Sequence, residues 1–106
     1  MDQNAQAPAA GPLRGKVTLT NPHGLHLRPA GAFAELATQF SCKVVVRTHD
    51  KGPFDGKSPL SLLGLVALPG TELTVEVDGC DAEKALPILL DFLANIENRV
   101  DMTEPG

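Results

Sequence analysis

The stretch Glu72-Leu73-Thr74-Val75-Glu76-Val77-Asp78 alternates polar and apolar residues without a break, between the turn signals Pro69-Gly70 and Gly79-Cys80. Such alternation puts Leu73, Val75 and Val77 on one face of a strand and the polar residues on the other. A sheet of such strands has one face to bury and one that can meet water, so an amphipathic layer must cover the apolar face. The chain supplies that layer at once. After Asp81, an N-cap residue by type, Leu86, Leu89, Leu90 and Leu93 recur at i, i+3, i+4 and i+7.

The same two patterns take turns along the rest of the chain. Lys16 to Thr20 alternates as a half-buried strand, and Asn21-Pro22-His23-Gly24 is a turn by composition. From Arg28 to Phe40, residues Ala30, Phe33, Ala34, Ala37 and Phe40 share one helical face, with Pro29 suited to a first turn. Lys43 to Thr48 is a valine-rich strand, His49 to Pro53 a turn, and a short strand is expected near Phe54 to Lys57. Ser58-Pro59 opens a short helix running to about Gly64. Pro87 lies inside the last helical pattern and is expected to delay, bend or tighten its start. The order is β-α-β-β-α-β-α. It predicts an α+β fold: a two-layer open-faced sandwich whose four-stranded antiparallel sheet is covered on one face by three helices.

A length of 106 residues is one domain, and with four Phe, no Trp and no Tyr its core must be aliphatic. Residues 1–14, rich in Ala, Gln, Pro and Gly, are expected to be a disordered extension, 15–96 the folded domain and 97–106 a tail. The N-terminus lacks the basic and apolar regions of a secretory signal, and no apolar run could span a bilayer, so the expected location is the cytoplasm, without membrane insertion. A net charge of -4 argues against nucleic acid as partner. Cys42 and Cys80 are too few for a disulfide framework and have no zinc-type spacing. No metal or other cofactor is expected.

The chemistry concentrates in Asn21-Pro22-His23-Gly24-Leu25-His26-Leu27-Arg28-Pro29-Ala30. Here a histidine stands where a turn becomes a helix N-terminus, whose first N–H groups have no partner within the helix and whose dipole favours negative charge. That is an anion site. A phosphoryl group on His26 could accept those N–H bonds, and Arg28 adds a permanently charged fork suited to phosphate. Gly24 allows the tight turn. The same helix end disfavours imidazolium, leaving a nitrogen lone pair free to attack. A lone histidine beside a turn is ordinarily a solvated surface residue; the neighbours change that reading for His26. His23 reads first as a surface turn residue, with the alternative of a hydrogen-bond partner for His26 or for a docked partner's phosphate. His49 reads as hairpin surface.

The pattern G-L-H-x-R-P-A resembles the phosphorylation-site signature of the HPr family, the histidine-containing phosphocarrier proteins. The resemblance continues through Phe40, Lys57-Ser58, Leu60, Leu62, Leu63, Leu65, Gly70 and Gly79-Cys80-Asp81-Ala82, and it covers Lys16 to Asn95 without an evident gap. Its implications are specific. In the phosphoenolpyruvate-dependent phosphotransferase system, Enzyme I donates a phosphoryl group to the carrier's histidine, normally at Nδ1, and the carrier passes it to a histidine of a IIA protein or domain. Carried over, His26 is the acceptor, Arg28 stabilises the transferring charge, and the backbone N–H groups of Leu27 and Arg28 hold the phosphate. Ser58 matches the serine that a dedicated HPr kinase/phosphorylase modifies in many bacteria. Leu60, Leu63 and Leu65 are candidates for a docking patch or for core. The chain departs from the family at Leu27, where a smaller residue is usual, at Gly31, which weakens the first helix by roughly 0.5–1 kcal/mol, at Pro59 and Ser61 in the short helix, and at Pro87.

These features imply a monomeric, stoichiometric carrier rather than an enzyme. The alternative is an HPr-like regulatory protein whose phosphorylation state controls partners rather than sugar uptake. A third reading, one domain of a multi-domain phosphotransferase polypeptide, draws on the Ala/Pro-rich N-terminus; Met1 counts against it.

Overall fold

The computed structural model describes residues 12–65 and 67–96. Its elements are β1 (Leu13–Thr18), α1 (Leu27–Ala37), β2 (Lys43–Arg47), β3 (Phe54–Asp55), α2 (Pro59–Leu63), β4 (Glu72–Asp78) and α3 (Ala82–Ala94). The strands form a single four-stranded sheet in the order β1-β4-β2-β3. Every neighbouring pair is antiparallel. This is the open-faced α+β sandwich that the alternating patterns predict.

β4 is the sheet's axis because it alone pairs along its length on both sides, Leu13 to Thr18 opposite Val77 to Glu72 and Lys43 to Arg47 opposite Asp78 to Thr74. Its inward residues Leu73, Val75 and Val77 are buried, as are Val44 and Val46 of β2. The helices lie on that face. Phe33 of α1 meets Phe92 of α3 edge to face, ring centres 5.9 Å apart. Gly15 on β1 leaves room for Leu90 of α3, whose methyl end a Cβ there would have to displace. Each fully buried Leu or Val contributes about 1.5–3 kcal/mol. The opposite face stays polar: Glu76 takes Arg14 at 3.4 Å and Arg47 at 3.2 Å.

Several boundaries differ from expectation. β1 begins at Leu13, so Leu13 and Arg14, expected in the extension, belong to the sheet. The seven-residue β4 offers pairing sites as far as Val77, and these draw the strand three residues back from Lys16. At its other end Leu19 leaves the strand and is fully buried. α1 stops at Ala37 instead of Phe40; Thr38 turns its hydroxyl onto the Glu35 carbonyl at 2.7 Å, and Phe40 packs half-buried from the following turn. Pro87 does not delay α3, which starts at Ala82 and carries the proline inside it. Pro87 is exposed, so the Glu83 carbonyl that would have bonded its missing N–H has water available. Asp81 occupies the N-cap position of α3 without capping it, its carboxylate accepting the N–H groups of Ser41 at 2.7 Å and Cys42 at 2.8 Å instead. Those bonds hold its carboxyl below the usual aspartate range, while burial pushes the Cys42 thiol up. No helix among the described residues is long and apolar enough to cross a membrane. Residues 1–11 of the expected extension and the 97–106 tail lie outside the described residues.

Candidate functional site

The site grows from the connection between β1 and α1, which is clamped onto the segment before β4. Leu19 donates its N–H to Thr71 at 2.9 Å and accepts that of Gly70 at 2.7 Å. The next residues form a tight turn. The buried Asn21 donates from Nδ2 to the Gly24 carbonyl at 2.8 Å, and Gly24 donates its N–H back to the Asn21 carbonyl at 3.2 Å. Gly24 has φ +65, and a Cβ there would run into the Ala67 carbonyl oxygen. That conformation and that proximity both require glycine. Leu25 then donates to the same Ala67 oxygen at 2.9 Å. The backbone leading into α1 is held at Leu19, Asn21, Gly24 and Leu25.

His26 is the N-cap of α1, in extended conformation, and its imidazole makes no capping bond. Its carbonyl accepts the N–H of Ala30 at 2.9 Å, the first rung of the helix. Leu27 and Arg28 supply the first helical N–H groups, and Pro29 has none. No acidic residue occupies the first turn, so the positive end of the dipole meets no carboxylate of its own helix. His26, Leu27 and Arg28 are all exposed. The arrangement therefore puts an exposed imidazole, a helix N-terminus and an exposed arginine on one short segment. The ring of His23 stands beside that of His26, centres 5.7 Å apart and planes 83° apart.

A family model described as the PTS HPr component phosphorylation site matches residues 13–95. The chain belongs to the HPr family. It is 35% identical over 81 residues to the phosphocarrier protein HPr of Neisseria meningitidis serogroup A, covering 76% of this chain and 90% of that one. It is 42% identical over 79 residues to a multiphosphoryl transfer protein of Xanthomonas campestris, covering 72% of this chain and 9% of that much longer one. The crystal structure of a phosphocarrier protein HPr from Bacillus anthracis superposes with a TM-score of 0.73 at 27% identity, over 77% of this chain and 96% of that one. The chain is thus an HPr phosphocarrier of the phosphotransferase system.

Within this HPr fold the other expected site residues take unequal places. Ser58 caps α2, its Oγ accepting the N–H of Ser61 at 3.1 Å. Leu60 is 81% exposed and Leu63 half-buried, so both remain on the surface of α2, which packs against α1. Leu65 does not: at 1% exposure it is core, and it leaves the docking patch. It follows the α2 C-cap, where the chain turns inward toward β4. Two contributors are not legible in the sequence. Leu68, 63% exposed, sets its backbone against the Gly24 turn and leaves an apolar side chain on the surface there. Asn21 braces the turn from a buried position. The sequence marks Leu68 only as an isolated Leu before Pro69-Gly70, and nothing in it distinguishes Asn21 from an ordinary turn asparagine. Among the described residues no cluster of three or more His, Cys, Asp or Glu could hold a metal ion.

Proposed function

We propose that His26 accepts a phosphoryl group from phospho-Enzyme I and passes it to a histidine of a IIA protein or domain, as a stoichiometric carrier working in the cytoplasm as a monomer. The observation that carries this reading is the exposed N-cap imidazole, free of any capping duty, on a backbone clamped from both sides. The Nδ1 lone pair attacks phosphorus as the donor's N–P bond breaks, and that electron pair stays on the donor ring. Each imidazole keeps its proton on the nitrogen not engaged with phosphorus. The Leu27 and Arg28 N–H groups and the Arg28 guanidinium offset the charge of the transferring group. The rim of Leu27, Leu68, Leu60 and Leu63 offers an apolar docking surface around it.

Incubation with phosphoenolpyruvate and a cognate Enzyme I should give an acid-labile, base-stable modification at His26, abolished by His26→Ala. Labelling that persists in His26→Ala would overturn the assignment. Arg28→Lys keeps the charge but loses the fork. It should slow transfer without weakening folding; an unchanged rate removes Arg28 from the mechanism. Ser58 is proposed as a further modification site, for an HPr kinase/phosphorylase. A phosphate there sits at a helix N-cap, which tolerates it, and it would act by repelling the carboxylates of an approaching Enzyme I.

A further inference from the structure

His23 has no structural duty to explain its place. Its side chain is exposed on the turn, and among the described residues its one side-chain interaction is the ring contact with His26. Yet the turn that carries it is closed by hydrogen bonds. Asn21 and Gly24 close the turn on either side of it, and Ala67 anchors the exit. The turn therefore delivers an imidazole to a set position beside the acceptor imidazole, with the planes nearly perpendicular.

We propose that His23 is an additional phosphoryl-binding residue, a ring N–H donor to the phosphoryl group while His26 carries it; the inference rests on the reading of His26 as acceptor. The geometry allows it. A phosphoryl oxygen stands two bonds out from the His26 nitrogen, and a charge-assisted hydrogen bond adds about 2.7–2.9 Å. A ring centred 5.7 Å from that of His26 lies within that reach. With the planes nearly perpendicular one ring presents its edge to the other, and the exposed His23 side chain is able to turn an N–H toward an oxygen beside the His26 ring. No other residue of the turn or of the segment packed on it supplies a charged donor. Thr20, Asn21, Pro22, Gly24 and Leu25 carry no ionisable side chain, nor do Ala67, Leu68, Pro69 and Gly70 of the packed segment. Arg28, two positions past His26 on α1, carries a charge of its own. Among the described residues of the turn and the segment packed on it, His23 alone has a side chain that can switch from neutral to cationic in response to a phosphoryl dianion on His26.

The consequence is reciprocal. If imidazolium at His23 favours phosphoryl at His26, phosphorylation must favour imidazolium at His23 by the same factor. The His23 titration followed by NMR in the full chain should therefore move up by about one unit on phosphorylation of His26, the size expected for an opposite charge at this separation. The phosphoryl-transfer equilibrium with Enzyme I should correspondingly favour the parent over His23→Asn by about tenfold more at pH 5.5 than at pH 8.5. Asparagine preserves a neutral donor on an exposed turn, so the variant folds and isolates the charge. The pH dependence of Enzyme I and of phosphohistidine itself cancels in the parent-to-variant ratio. A label at His26 with an unmoved His23 titration, or with a flat ratio, overturns the inference and leaves the carrier function intact. A chain that takes no label at His26 fails at the earlier step and overturns both.

Discussion

His26 and Ser58 hold the same structural position, the N-cap of a helix, and use it in opposite ways. Ser58 closes α2 with its own side chain, accepting the Ser61 N–H at 3.1 Å. His26 leaves α1 uncapped, and its side chain faces solvent. Removing the cap from one helix end costs stability of order 1 kcal/mol, and at α1 the surrounding turn offsets it. Asn21, Gly24 and Leu25 fix the approach to α1 through bonds to each other and to Ala67. At α2, five residues long, the cap is one of few local bonds available. The difference teaches where reactive groups can stand. A helix end can keep an anion-ready N-terminus when something other than its own cap residue orders the chain.

The largest effect tests the reactive cap. His26→Ala should eliminate phosphoryl acceptance while changing stability by no more than about 0.5 kcal/mol, because no side-chain bond is lost. Chemical denaturation alongside the labelling assay checks it, and a clear destabilisation would mean that the imidazole also supports the fold. The next tests the brace. Gly24→Ala should cost about 2 kcal/mol or more, from the positive φ and the collision with Ala67, and should slow transfer with it. A variant as stable as the parent would show that the turn is looser than its bonds indicate. The structural cap follows. Ser58→Ala should lose about 1 kcal/mol and leave transfer unchanged, whereas Ser58→Asp should slow transfer with little change in melting temperature. If Ser58→Asp accepts phosphate as fast as the parent, Ser58 is a cap and nothing more.

The smallest effect concerns the third cap position. Asp81 directs its carboxylate to Ser41 and Cys42, and its carboxyl lies below its ordinary value because the folded chain favours the charged form. Its contribution is complete above the ordinary aspartate range and is lost as pH falls through the depressed folded value. Melting temperature against pH should therefore fall less steeply below about pH 4 in Asp81→Asn than in the parent. Parallel curves would show that the carboxylate's two bonds do not favour its charge.

What the chain carried in its own order was everything local. Strand alternation in Glu72 to Asp78, helical spacing in Ala30 to Ala37 and Leu86 to Leu93, and the turn-to-helix junction around His26 each depend on residues a few positions apart. They led to the element order, the layer arrangement and the place of His26 on a helix N-terminus. The tertiary structure decided the matters that turn on residues far apart in sequence. β1 reaches back to Leu13 because β4 offers it partners some sixty residues away. Leu65 is core because, just past the end of α2, it joins the buried cluster closed by residues of the sheet and the other helices. Asp81 leaves its helix because Ser41 and Cys42, some forty residues distant, present two N–H groups to it. His23 stands against His26 because Ala67 fixes the turn between them. Periodicity shows which face a residue occupies within its element; only packing shows what meets that face, because the free energy of a contact is realised when distant segments close on each other.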